Sequence, residues 1–240
     1  MTTLDTDFDP DVYGFRFANR FSGGNVVAEL ARQERLSELV GLHLPRVVRD
    51  LADLAENAEF WGTFGLCGGM SWGALDRFHR RIPPPQIASP PAPGDELFSE
   101  LVARQADSMR GRMLMERCLK LQITPDRTPW WWFWVDGVIR QTIEDQWPKL
   151  RQALDKGQPT SLTLIRVSGL EPPARHHQVV AIGYDLVDSE SVSIRLYDPN
   201  HPRSIKTLRL GTRPGHQSIE ADASTGRGLR GFLVWSTNLR

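Results

Sequence analysis

The stretch HQVVAIGYDLVDSESVSIRLYD, His177–Asp198, holds two runs rich in β-branched residues on either side of the short polar turn DSES. Such a pattern predicts an antiparallel β-hairpin. A hairpin brings the start of its first strand and the end of its second to the same end of the sheet. His177 is therefore expected beside Asp198 or Asn200, the residues that close the second run. Outward from this hairpin, SLTLIRV, IKTLRL and GFLVWS have the same character, so residues from about 159 to 240 read as a β portion. Upstream, from about 24 to 156, apolar residues recur at three- and four-residue spacing, as in Val47, Val48, Leu51 and Leu54 or Met70, Ala74, Leu75 and Phe78. Helices first and strands last predict an α+β fold, a mostly antiparallel sheet with helices packed on it, in one domain spanning 1–240.

Within the helical portion Pro45 is a plausible break. The run VIRQTIEDQWPKLRQALDKGQP predicts a helix with Ile139, Ile143, Trp147, Leu150 and Leu154 on one stripe, Pro148 as a kink and Gly157 as its stop. GFRFANRF, Gly14–Phe21, alternates aromatic and polar residues and reads as a short strand. The loop 82–94 holds six of the 17 prolines and reads as a stiff surface loop inside the domain. The five aromatics of the run Trp130–Trp134 cannot all face one core: either half are core and half lie under a loop, or some line a groove for apolar substrate side chains.

Composition excludes several classes. Lys plus Arg and Asp plus Glu are both 29, so no overall field argues for a nucleic-acid or membrane partner. No apolar run reaches the roughly 18 residues of a membrane span, and the acidic start MTTLDTDFDPDVYG lacks the features of a secretory leader. The expectation is a cytoplasmic location. Two cysteines make no disulfide framework. With no CxxC, HExxH or Asp-rich loop, no metal or other cofactor is expected. Oligomeric state is not legible.

The stretch FGLCGGMSWGALDRF, Phe64–Phe78, sets Cys67 between glycines immediately before a helical pattern. A helix N-terminus offers free N–H groups and partial positive charge, which favour a thiolate. The flanking Gly65, Gly68 and Gly69 admit close backbone approach and offer N–H donors to an oxyanion, Gly68 first among them. His177 would serve as base, and Asp198 would accept its Nδ1–H and leave Nε2 to the thiol. His176, adjacent on the strand, points to the other face and reads as a solvated loop residue, and His79 reads as a surface residue. His201 and His216 lie in Pro-flanked loops with no clear partner. Cys118, among Leu114, Met115, Leu119 and Leu121, reads as a core thiol.

The order Cys67, His177 leading a strand that ends Gly-Tyr-Asp, then a strand ending Asp198-Pro199, resembles papain-like cysteine peptidases, most of all the bacterial C39-like branch. A helix ending in Gly157-Gln158-Pro159 before the strand LTLIRV belongs to the same resemblance. It covers about 65–78 and 150–202. It implies a papain-like fold, a peptide or protein substrate, Cys67 as nucleophile, His177 as general base and acid, and Asp198 as the residue orienting the imidazole, with Asn200 in reserve. The family's oxyanion glutamine, about six residues before the cysteine, is replaced here by Trp61. Asn19 is a substitute donor from elsewhere in the chain. Trp61 and Trp72 are candidate walls of a substrate groove.

Three alternatives stand beside this expectation. One is a catalytically weak or inactive papain-like fold that binds a protein. Another is a transamidase or deamidase using the same triad. The third is an α/β hydrolase with cysteine at its nucleophile elbow, which would need a strand before GLCGG and an acid ahead of the histidine.

Overall fold

The computed structural model describes residues 2–35, 65–109, 112–127, 136–169, 171, 175–222, 225 and 228–235. Trp61, Pro45 and the run Trp130–Trp134 lie outside them. The chain is α+β, and every ladder among the described residues is antiparallel. The sheet runs β6 (Ser218–Ala221), β5 (Ile205–Gly211), β4 (Ser191–Tyr197), β3 (His177–Leu186), β2 (Thr160–Ile165), β7 (Gly231–Trp235), with β1 (Thr2–Asp5) also paired to β3. The parallel sheet of an α/β hydrolase is not found among these strands.

The hairpin His177–Asp198 forms as its sequence predicts, and β3 becomes the centre of the sheet. Its 177–181 segment pairs with β2, its 183–186 segment pairs with β1 along the same edge, and β4 takes the other edge. A bulge between Ala181 and Gly183 shifts the register against β4. One extra residue reverses which face the following side chains take. Ala181 and Tyr184, three apart, consequently share one core cluster while Ile182 joins the other.

Helices cover both faces. On one, α3 (Cys67–Arg80) and α4 (Glu96–Met109) pack with Phe8, Phe15 and Phe17 against Val180, Ile182 and Tyr197. The stripe Met70, Ala74, Leu75 and Phe78 is buried there, as are Val26 and Leu30 of α2 (Gly23–Arg32). On the other face Trp147, Leu150 and Leu154 meet Leu162, Leu164, Val179, Leu196, Leu208 and Phe232. The short helix α1 (Pro10–Tyr13) and α5 (Arg112–Ile123) complete the described helices ahead of residue 138.

Three sequence expectations need correction here. GFRFANRF is not a strand. Phe15 and Phe17 are buried and Arg16 is exposed, so the alternation is real. The segment spends its backbone instead on single contacts, Phe15 N–H to the Tyr197 hydroxyl (3.1 Å) and Asn19 N–H to the Pro199 carbonyl (2.9 Å). The stripe beginning at Ile139 is also displaced. Helix α6 (Val138–Gln141) runs into a π-helical turn, Thr142–Gln146, before α7 (Trp147–Leu154) starts with Pro148 in its first turn. Proline has no N–H to give the carbonyl four residues back, and the wider turn adds a residue at that point. Ile143 is therefore in phase with Val138, five residues earlier; both are buried, whereas Ile139 is only half-buried. Two short strands, β1 and β6, were absent from the sequence reading. Gly157 does end α7 as expected. Its φ is +72°, and Gln158 N–H to Ala153 O with Gly157 N–H to Leu154 O completes a Schellman closure.

The glycines after Cys67 set how closely α3 and α4 cross. A Cβ on Gly69 would lie 2.1 Å from the Leu101 carbonyl oxygen, which is backbone and cannot swing aside. Gly69→Ala is expected to lower unfolding free energy by about 1–3 kcal/mol through overpacking. Urea denaturation measures it, and a midpoint unchanged from wild type would show that the helices can separate freely.

Candidate active site

Cys67 is the first residue of α3, half-buried, with its N–H at the open end of a 14-residue helix. The turn before it is held by Asn19, whose Oδ1 accepts the Leu66 N–H (2.8 Å). Gly65 is small enough to let this amide approach, since a Cβ there would lie 2.5 Å from Asn19 Nδ2. The same Nδ2 donates to Asn200 Oδ1 (3.0 Å). Asn19 thus joins the turn before Cys67 to the loop that closes β4.

The β3–β4 register pairs Val180 with Tyr197. One step further sets Asp198 opposite Val179, on the face of the sheet shared with His177. His177 Nε2 lies 2.7 Å from Asp198 Oδ1. That carboxylate is fully buried at 0 % exposure, and it has its donors. Oδ1 also accepts the Asn200 N–H (2.8 Å), and Oδ2 accepts the Thr225 hydroxyl (2.7 Å). Burial opposes its ionisation, but these donors outweigh burial and hold the Asp198 carboxyl down at about 2.

With Nε2 engaged by Asp198, Nδ1 is the nitrogen left for the Cys67 thiol, with which the ring hydrogen-bonds. The imidazole is turned opposite to the expectation that Nδ1 would meet Asp198. The reason is where the sulfur sits. It also receives the backbone N–H of Gln178, the peptide adjoining His177, and so lies near the ring nitrogen closest to the main chain. Burial disfavours the imidazolium, yet Asp198 and the Cys67 thiolate raise His177 to about 9. Burial likewise disfavours the thiolate. The His177 contact and the N–H groups of Gln178 and Gly68 more than offset this, so the Cys67 thiol is pulled below its ordinary range. The net preference is for a thiolate–imidazolium pair.

Asn200 does not replace Asp198. Its Nδ2 lies 3.4 Å from His177 Nε2, which carries the proton toward Asp198 and so cannot accept. Gly68 turns its N–H to the sulfur, and the Gly69 N–H goes to Gln105 Oε1 (2.9 Å), so neither glycine is a spare oxyanion donor. The Cys67 N–H has no acceptor among the described residues.

Trp72 is no groove wall. It is 2 % exposed in the α3–α4 interface, with the Arg104 guanidinium 4.9 Å above its ring. The α3 positions that face inward are occupied by core, and Trp72 is one of them. His176 is not solvated either. Its Nδ1 accepts the Arg166 N–H (3.2 Å), and burial with the Arg230 and Arg166 charges depresses it to about 4. Cys118 is buried, and burial pushes its thiol up to about 12. Sequence reasoning missed Thr225, Gln178 and Gln105. Gln178 sits beside His177 but contributes its backbone N–H, which residue type does not mark, and the contacts of Thr225 and Gln105 span 27 and 36 residues. No helix among the described residues is long and apolar enough to cross a membrane, and no group of three or more His, Cys, Asp or Glu there could hold a metal ion. No protein-family model, curated protein or solved structure matches the chain.

Proposed function

We propose that this chain is a papain-like cysteine hydrolase of peptide or amide bonds, acting in the cytoplasm through Cys67, His177 and Asp198. The observation that carries the reading is the continuous chain of contacts from the Cys67 sulfur at the α3 N-terminus, through the His177 ring, to Asp198 at 2.7 Å. The Cys67 thiolate attacks the substrate carbonyl carbon and its π electrons move to oxygen. The Cys67 N–H at the helix end, unspent among the described residues, is the candidate donor for that oxyanion, and the second Nδ2 hydrogen of Asn19 is the candidate for the role of the family's glutamine. Collapse re-forms the carbonyl, breaks the C–N bond and passes the His177 Nδ1 proton to the leaving amine. His177 then takes a proton from water, whose oxygen displaces the thiolate from the acyl-enzyme. An amine in place of that water gives transamidation with the same residues. The balanced charge of the chain speaks against a nucleic-acid partner.

The test is Cys67 alkylation by iodoacetamide across pH in a Cys118→Ala background. Wild type is expected to label well below the ordinary thiol range and to lose its thiolate–imidazolium pair as pH rises through about 9, where His177 gives up its proton. His177→Ala removes the cation, so labelling is expected to retreat toward the ordinary thiol pKa of about 8.5. An identical profile in the variant would show that ring and thiol do not interact. One observation favours a second reading, a weakly catalytic fold that binds a protein partner. Asn19 Oδ1 already accepts the Leu66 N–H, and one Nδ2 hydrogen already goes to Asn200 Oδ1. A paired thiolate that hydrolyses no member of a peptide library would move the assignment there.

A further inference from the structure

Thr225 comes from a polar stretch, ADASTGRG, between β6 and β7. It is 1 % exposed. Its hydroxyl donates to Asp198 Oδ2 at 2.7 Å. Its own N–H is held by the Asp222 carbonyl (2.9 Å). Asp222 is in turn fastened to β5, its carboxylate accepting the Thr207 N–H (2.9 Å) and its own N–H reaching the Thr207 carbonyl (3.0 Å). The hydroxyl is therefore delivered by a residue whose N–H is tied through Asp222 to β5, not by β4, whose end leads into Asp198.

Among the described residues three groups hydrogen-bond the Asp198 carboxylate. His177 and the Asn200 N–H both bind Oδ1, and Thr225 alone donates to Oδ2 among the described residues. The hydroxyl of Tyr197, the preceding residue, accepts the Phe15 N–H in a separate contact. The acid of this site thus has its inner oxygen tied to the base and its outer oxygen tied to one hydroxyl. A buried carboxylate stripped of a donor becomes a stronger base. It is also free to turn, which weakens its Oδ1 contact with His177 and loosens the hold on the imidazolium that Cys67 relies on.

We propose that Thr225 is a positioning residue of the site. Its hydroxyl fixes the rotation of the Asp198 carboxylate and keeps it ionised, and through Asp198 it holds His177 as the cation facing Cys67. This rests on the cysteine-hydrolase reading above.

Thr225→Val, equal in shape but without the hydroxyl, is the test, again by iodoacetamide labelling of Cys67 across pH in a Cys118→Ala background. The acid edge of labelling is expected to move up by about half to one pH unit, the fraction of a charged hydrogen bond that reaches the sulfur through two residues. Thr225→Ser restores the hydroxyl and is expected to restore the wild-type edge. In an Asp198→Asn background Thr225→Val is expected to add nothing. Should the valine variant fail to fold, Thr225→Ala takes its place. An edge unmoved in Thr225→Val, or moved equally by serine, overturns the role of the hydroxyl. If the wild type itself has no labelling below the ordinary thiol range, the hydrolase reading and this role fall together. If wild type has that labelling, lost in His177→Ala, and Thr225→Val leaves it unmoved, only the role of Thr225 falls.

Discussion

Cys67→Ala is expected to reduce hydrolysis by roughly 10⁴-fold or more, to the level of binding and oxyanion contacts alone. The chain has one other thiol. The second thiol, Cys118, is buried and held in its neutral form by a pKa pushed to about 12. The fold should survive, because Cys67 is only half-buried and the α3 contacts that matter most are those of Met70, Ala74, Leu75 and Phe78. A peptide vinyl sulfone separates chemistry from folding. It is expected to form one thioether adduct in wild type, seen by intact mass, and none in Cys67→Ala at an unchanged melting temperature. Hydrolysis retained by the alanine variant would remove the proposed nucleophile.

The second large effect concerns stability and lies under the helix that begins at Cys67. Arg104 of α4 is 2 % exposed. It binds Asp76 of α3 through Nε (2.7 Å) and Nη2 (2.8 Å), and Asp107 through Nη1 (2.9 Å). Arg35 meets the other oxygen of Asp107 at 2.5 Å. Both aspartates are buried. Arg104→Met leaves two carboxylates in a low-dielectric interface with their shared cation gone. Removing one member of such a buried set is expected to cost about 3–5 kcal/mol. For a chain of this size that lowers the melting temperature by roughly 6–20 °C. Arg104→Lys should recover only part of this, because one ammonium cannot reproduce the fork to Asp76. A calorimetric shift below about 2 °C for Arg104→Met would show that the interface readmits water at little cost. Because α3 starts at Cys67, a loosened α3–α4 contact should also disturb the labelling profile.

Much of the fold was legible because its signals are local. The hairpin announced itself by two β-branched runs around DSES, and the stop at Gly157 by a residue able to take a positive φ. The short strands were not legible. Thr2–Asp5 shows no burial alternation, being exposed at all but one position, and it is a strand only because β3 has an edge left over beyond β2. GFRFANRF had the alternation of a strand and no partner to ladder with. Trp72 was misjudged because an aromatic next to a candidate nucleophile looks the same in sequence whether it faces core or cleft.

The candidate site divides the same way. Residue identity alone marked Cys67, His177 and Asp198, since a cysteine at a helix start and a histidine and an acid at the same end of a hairpin follow from chain geometry over short spans. What the tertiary structure decided is how those groups are wired. It determined that Nε2 and not Nδ1 meets Asp198, that Asn19 clamps the turn before Cys67 to Asn200, and that Thr225 secures the outer carboxylate oxygen. Sequence periodicity reports which side of a helix or strand is apolar. Side-chain hydrogen bonds between distant segments depend on positions good to a fraction of an ångström, and those exist only once the whole chain has packed.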